Sequence, residues 1–433
     1  MRLKGDALPR CRAERHHEAH VRQRGRATGA NHDHGHVLRW CAAGMAEAGK
    51  QFRRVNGHRS LGPPPKFHGL RDILLIDLTS VRQAHCRASL AAARPNVEGR
   101  RAAAGGPSRR NRATPTSCRH KEKEVKYTRL GITDLQVSQV SLGTAPFGDL
   151  FGKTTDEQTR ATTHHALDAG INFFDSSPYY GGGLAEERLG RALRGHRQHV
   201  FIGTKAGRYG ADDFDFTPQR IRESLETSLR LLQTDYVDIF QLHDVEFVQL
   251  EPVFTDSYAE LTRLRDEGKC RYIGMTGYPI KTLTRAATET DIDTILSYCH
   301  FTLLNTQLAD ELQPVCEKNG VGLFNAAAVH LGLLTRSGLR TTAPAGKDVE
   351  QVAHTVVELC ERNGIDPAFL ANQFAIQRSG TASTVIGTTK VHHLDSAVTA
   401  AEAPINEDVL ATVLAATAPI RSNSWVSGLA ENN

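Results

Sequence analysis

The chain has 433 residues, of which 39% are apolar and 23% charged, with a formal net charge of +5. That length leaves room for two ordinary domains or one large barrel, and no run approaches eighteen uninterrupted apolar residues, which excludes a membrane-spanning helix. The small net charge conceals an asymmetry: residues 1–120 hold 24 basic against 8 acidic residues and the remainder 29 against 40, so the two parts are read separately.

Arg, His, Ala and Gly dominate residues 1–120, which carry half of the 20 histidines. The apolar run Ile73-Leu74-Leu75-Ile76 has no helical or strand period around it. A segment so charged cannot bury enough apolar area to offset an ordering cost of about 1–2 kcal/mol per residue. Residues 1–124 are therefore expected to form a disordered basic extension. Ordered patterning begins at Val125-Lys126-Tyr127, and the native start is expected near Val125. Nucleic-acid contact through the arginines, a transit peptide and metal ligation by His32, His34 and His36 are weaker readings. The segment has no interleaved aromatic motif, no amphipathic period and no partner cluster at ligand spacing.

From Tyr127 the pattern alternates. A β-branched run over 137–142 predicts a strand ending at Gly143, and 156–168 a helix stopped by Gly170. Strand two spans 171–175, followed by a helix over 184–193, and strand three spans 200–205. Thr217-Pro218 supplies an N-cap and a first-position proline for a helix with Ile221, Leu225, Leu229 and Leu232 at helical spacing. Strand four covers 236–243, and a helix over 253–267 ends at Gly268. Four more strands are expected at 272–275, 294–298, 322–326 and 383–386, with helices starting near Ile280, Asp310, Val349 and Val391. Strands alternating with helices imply a parallel sheet. Eight units in about 280 residues predict a closed (β/α)8 TIM barrel rather than an open sheet. Residues 125–433 are thus expected to form one α/β domain.

A doubly wound dinucleotide fold is the main rival. It is disfavoured because no G-x-G-x-x-G follows the first strand and no G-x-x-x-x-G-K-[ST] occurs. Cys270, Cys299, Cys316 and Cys360 are far apart, without C-x-x-C. This argues against a disulfide scaffold or zinc site and fits a reducing cytoplasm.

Barrels place reactive groups at the C-terminal ends of their strands. Strand two ends in Asp175, strand three in Lys205 and strand four in His243, and the strand-two loop adds tyrosines. A free tyrosine titrates near 10, too high for an efficient base at neutral pH, and a nearby ammonium is expected to lower it. A buried Lys205 needs a counter-charge, which Asp175 can supply. His243 can hydrogen-bond the substrate oxygen that Tyr180 protonates or deprotonates. Such a set moves a proton at an oxygen while a hydride moves elsewhere, so a nicotinamide cofactor is implied.

FFDSSPYYG, GTK at 203–205 and QLHD at 241–244 resemble the signatures of the aldo-keto reductase family. The resemblance carries that family's catalytic tetrad onto Asp175, Tyr180, Lys205 and His243. The stretches INFFDSSPYYGG, TKAGRYG, DYVDIFQLHDVEF, GKCRYIGMTGYP, LSYCHF and GLLT, and the ending SNSWVSG, resemble its sugar-oxidising members. This implies oxidation of the anomeric hydroxyl of an L-galactose, L-fucose or D-arabinose type aldose to an aldonolactone. It also implies NAD or NADP as cofactor, with NAD preferred. Thr276, Gly277 and Tyr298 match the carboxamide-holding positions. Gly387, Thr388, Thr389 and Lys390, before a helix start, can offer amides to the cofactor phosphates, and His393 stands where NADP-preferring members place a cation. His300, Phe301, Asn423 and Trp425 are expected to face the sugar, while Asp244 and Glu246 either bind hydroxyls or cap the next helix. Two rival functions are a carbonyl reductase of the same family and a non-catalytic nicotinamide-nucleotide-binding barrel. No membrane partner is expected, and nucleic acid could engage only the basic extension.

Overall fold

The computed structural model describes residues 125–338 and 346–433. The proposed extension, with its His32, His34 and His36, lies outside the described residues. Eight parallel strands close into a barrel: β3 (Val140–Gly143), β4 (Phe173–Asp175), β5 (Phe201–Ala206), β6 (Val237–Leu242), β7 (Cys270–Gly277), β8 (Thr294–Tyr298), β9 (Gly322–Ala326) and β10 (Ser383–Gly387). β10 pairs with both β9 and β3, so the sheet has no free edge. Strands in such a sheet are covered on both faces, and every residue of β6 is buried.

A small antiparallel ladder precedes the barrel, β1 (Tyr127–Arg129) with β2 (Gln136–Ser138). The run expected as one strand over 137–142 therefore breaks at Gln139 into β2 and β3. Leu130, Leu135 and Val137 of this hairpin are buried with Phe173, Ile239, Phe324 and Val385 from the barrel strands. Phe173 stacks on Phe324 at 4.6 Å. The hairpin thus plugs the barrel end opposite the strand C-termini.

The surrounding helices are α1 (Asp156–Asp168), α2 (Leu184–Ala192), α3 (Pro218–Leu232), α4 (Tyr258–Asp266), α5 (Ile280–Glu289), α6 (Gln313–Asn319), α7 (Lys347–Arg362), α8 (Pro367–Arg378), α9 (Val391–Glu402) and α10 (Glu407–Thr417). Thr155 opens α1 with a reciprocal capping box to Gln158, which satisfies two otherwise orphaned amides. Thr217 and Pro218 open α3 as expected, and Ile221, Leu225, Leu229 and Leu232 form its buried face. The helix expected over 253–267 begins as a π-turn, Val253–Ser257, before α4. The start near Asp310 likewise falls in a π-turn, Leu308–Leu312. Among the described residues two α-helices, not one, lie between β9 and β10. Asp366 accepts from the Phe369 amide and, with Pro367, starts the second. Among the described residues no helix is long and apolar enough to cross a membrane.

Candidate active site

Parallel register brings the C-terminal ends of β4, β5 and β6 to one rim: Asp175 pairs with Gly203, and Lys205 with Gln241. Lys205 is 1% exposed. Its Nζ donates to Asp175 Oδ1 at 2.6 Å and to the Ser176 carbonyl at 2.8 Å. Burial pushes the Asp175 carboxyl upward and Lys205 opposes that push. A lone buried ammonium would be prohibitively costly, so this pairing allows Lys205 to sit inside the barrel wall.

Tyr180 is half-buried above this pair. Lys205 Nζ stands 5.2 Å from its ring centroid, and the His243 ring meets it edge-on at 5.8 Å. The sequence leads one to expect a lowered phenol pKa. The structure reverses that direction. Burial foremost, then the charges of Asp175 and Asp244, push Tyr180 well above its ordinary value, and Arg208 opposes them. The Lys205 ammonium is engaged by Asp175 and Ser176, so Tyr180 keeps its proton at neutral pH.

His243 follows β6 and is 6% exposed, with its amide bonded to the Ala206 carbonyl. Burial lowers its imidazole to about 3, Asp244 working against that and Lys205 and Arg208 with it. The ring is therefore neutral. Its Nδ1 lies 2.9 Å from Ser177 Oγ, and its Nε2 lies 3.7 Å from Asp244 Oδ2.

The Tyr180 loop is held from behind. A Cβ at Gly148 would sit 2.3 Å from the Tyr180 carbonyl carbon, and one at Gly181, whose φ is +73°, 2.4 Å from the Gly148 oxygen. Only glycines permit this backbone contact. Arg188 fastens the Gly148 side, donating to the carbonyls of Phe147 and Thr154 and to the carboxylates of Asp149 and Asp156.

A second charged group at the rim escaped sequence reasoning. Arg208, just after β5, pairs with Asp244. Its guanidinium lies 4.2 Å from the Tyr179 ring centroid and just over 5 Å from those of Phe214 and Phe247, which stack on each other. Asp244 is a non-glycine residue at φ 53°, and its amide donates to Thr276 Oγ1 at 3.1 Å. The one signal for Arg208 was its place in the strand-end turn after Lys205.

Thr276 and Gly277 end β7, and Tyr298 ends the adjacent β8. A side chain at Gly277 would meet Glu246 Oε2. Gly387 ends β10 and is exposed, and Thr388 and Thr389 lead to Lys390 at the start of α9, which has no side-chain cap. The Lys390 amide donates to Thr388 Oγ1, which also lies 3.4 Å from His393 Nδ1.

Glu246 neither caps a helix nor stands free. It is fully buried. Its Oε1 accepts the Tyr278 amide and the Ser427 hydroxyl, and its main-chain oxygen accepts from the Leu429 amide and Asn432 Nδ2. Glu246 therefore clamps the C-terminal tail to the barrel. The clamped tail lays Trp425 on Tyr278 at 3.9 Å, and Tyr278 in turn packs 4.3 Å from His300. Tyr278 and Ser427 were missed in the sequence because no period marks them. Phe301 is not brought to this wall: its ring stacks on Phe374 of α8 at 4.8 Å within the core. Asn423 is exposed, and its carbonyl accepts from Asn305 Nδ2.

This set of a protonated phenol, a paired lysine and a neutral imidazole can exchange one proton with a bound oxygen. Solved structures show the same architecture. An aldo-keto reductase from Bacillus halodurans, in a holo form, is 23% identical, with a TM-score of 0.59, and the match covers 71% of this chain and 99% of that one. L-galactose dehydrogenase of Arabidopsis thaliana is 35% identical, over 71% of this chain and 99% of that protein. D-threo-aldose 1-dehydrogenase of a Pseudomonas species is 30% identical over 58% and 86%, and D-arabinose 1-dehydrogenase of Saccharomyces cerevisiae 32% over 54% and 73%. The model of the Aldo/keto reductase family matches residues 139–417, so the chain belongs to that family.

Proposed function

We propose that the chain is an NAD(P)-dependent oxidoreductase that oxidises the anomeric hydroxyl of an L-galactose, L-fucose or D-arabinose type aldose to its aldonolactone, with residues 125–433 as the catalytic unit. The observation that carries this reading is the Lys205–Asp175 pair buried beneath Tyr180, with His243 edge-on to the phenol. The relatives named as aldose dehydrogenases support a sugar substrate. Four buried free cysteines among the described residues suit a reducing compartment, the cytoplasm.

In the oxidative direction Tyr180 first releases its phenol proton to solvent; as phenolate, stabilised by Lys205, which Asp175 steadies, it then receives the O1 proton and returns to phenol, while His243 hydrogen-bonds the same oxygen. The dinucleotide, when bound, supplies the hydride acceptor. Thr276, Gly277 and Tyr298 would hold its nicotinamide end, and Gly387, Thr388, Thr389, Lys390 and His393 its phosphate end. The fit rests on the first turn of α9, which has no side-chain cap and whose Val391 and His392 amides can receive an anion. Lys390 is the only lysine or arginine from 383 to 402, which suits NAD better than the extra phosphate of NADP. Trp425, Tyr278 and His300 form an aromatic wall suited to a sugar face, and Asn423 in the same tail adds a polar contact.

A second reading, aldehyde reduction, is favoured by the upward shift of Tyr180, because a retained phenol proton is what a reduction must deliver. A panel of L-galactose, L-fucose and D-arabinose with NAD and NADP, set against small aldehydes with the reduced cofactors, separates the two. Aldose oxidation is expected to have the larger kcat/KM. Turnover of aldehydes alone would overturn the first reading in favour of the second.

A further inference from the structure

A neutral imidazole carries one proton, and which nitrogen holds it decides whether His243 donates to a substrate oxygen or accepts from it. The groups facing the ring settle the matter. Ser177 is fully buried, and its Oγ lies 2.9 Å from His243 Nδ1. The same oxygen accepts the Tyr179 amide at 3.1 Å. Among the described residues the Ser177 hydroxyl has no other partner, so its single proton has one available acceptor, Nδ1.

Were Nδ1 protonated, Ser177 Oγ would receive two N–H groups and its own hydrogen would stay buried and unpaired. Buried donors are almost always paired, and the cost of leaving one unpaired corresponds to a preference of about tenfold or more. On the far side of the ring, Nε2 makes no hydrogen bond among the described residues and stands 3.7 Å from Asp244 Oδ2. A carboxylate there favours hydrogen on Nε2. Lys205 and Arg208 also act on the ring, but they bear on its charge and not on the choice between its nitrogens.

We propose that Ser177 is a positioning residue that holds His243 as the Nε2–H tautomer, so that its free N–H is offered to the oxygen that exchanges a proton with Tyr180. This rests on the reading of the rim as the catalytic site only in its second half. The tautomer itself is independent of any reaction. The consequence is a division of labour: His243 only donates a hydrogen bond, and Tyr180 alone moves the proton. Ser177 stands two residues after Asp175 and three before Tyr180, so one loop sets the counter-ion, the tautomer and the acid.

The test uses the full chain labelled with nitrogen-15 histidine. Long-range proton–nitrogen spectra identify the tautomer, and the His243 signals are those lost in His243→Gln. The expected result is Nε2–H in the unsubstituted protein, and in Ser177→Ala a population of Nδ1–H with kcat for aldose oxidation lowered about tenfold or more. Ser177→Cys, with a weak S–H donor, should fall between. Nδ1–H in the unsubstituted protein, or an unchanged tautomer in a folded Ser177→Ala, would overturn the proposal. If Ser177→Ala does not fold, the spectrum of the unsubstituted protein decides alone. A protein with Nε2–H but no turnover of any aldose would sink the functional reading and leave the tautomer assignment standing.

Discussion

Lys205 and Asp175 form an ion pair inside the barrel wall, each nearly without solvent. Removing one member of such a pair strands the other, a change that typically costs about 3–5 kcal/mol, whereas replacing both is far milder. Lys205→Met should therefore lose both activity and stability. Lys205→Met with Asp175→Asn should regain most of the stability and none of the activity, as urea midpoints and turnover will read. Equal stability of the single and double variants would mean that the pair is not what holds Lys205 in place. Tyr180 should behave differently. Tyr180→Phe deletes only an oxygen, so the fold should persist while kcat falls by about 10²–10⁴, the usual worth of a positioned proton-transfer group. Because burial and two carboxylates hold the phenol well above its ordinary value, aldose oxidation should keep rising with pH up to 10. A plateau near neutrality would show that another group is the base.

The loop that carries Tyr180 is held by a close backbone contact as well as by side chains. Gly148 lies against the Tyr180 carbonyl, and Arg188 ties the Gly148 loop to α1 through Asp156. Gly148→Ala should push the phenol off its place beside His243. A displacement of about 1 Å can cost about 10²-fold in rate, so kcat should fall by that order while the thermal midpoint moves less than in Lys205→Met. An undiminished kcat would place the control of Tyr180 elsewhere. These two glycines also show what could be read beforehand. Strands ending in Asp175, Lys205 and His243 were legible because parallel buried strands are continuous apolar runs whose polar ends stand out. Gly148 in its loop was not, since its partner is 32 residues on and only the closed barrel brings them together. The break at Gln139 was hidden for a related reason: β2 and β3 form one continuous stretch of sequence whose halves pair with different strands. Asp366-Pro367 did carry a helix-start signal, but it lay where only one helix was expected. In the tail Trp425 was reached through the resemblance alone and Ser427 was not reached, because both gain their places from Glu246 and Tyr278 and not from any period of their own.

Across the whole molecule the buried titratable groups oppose one another in a way that a pH series can read. His243 and His300 are lowered to about 3 and His330 to about 4, chiefly by burial. The unfolded chain binds protons at these sites below about 6.5 and the native chain does not, so stability falls as pH drops through that range. Asp149 and Glu267, held down to about 2 by hydrogen bonds from Arg188 and Arg222, add to the loss below about 4. Glu186 and Glu246 work the other way. Burial raises them to about 7 and about 8, so the native chain keeps protons that the unfolded chain has released, and stability falls as pH rises from about 4.5 toward 8. Glu186 lines a cavity of about 280 Å³ behind the Tyr180 loop and accepts from Thr204, the neighbour of Lys205. Its shift corresponds to roughly 3 kcal/mol. Maximal stability is thus expected near pH 6.5, with a decline toward pH 8 that comes mainly from two carboxyls. Glu186→Gln mimics the protonated form and should flatten that decline when urea unfolding is followed from pH 6 to 9, and Glu186→Gln with Glu246→Gln should nearly abolish it. A decline of unchanged slope in the double variant would show that the alkaline loss arises from other groups.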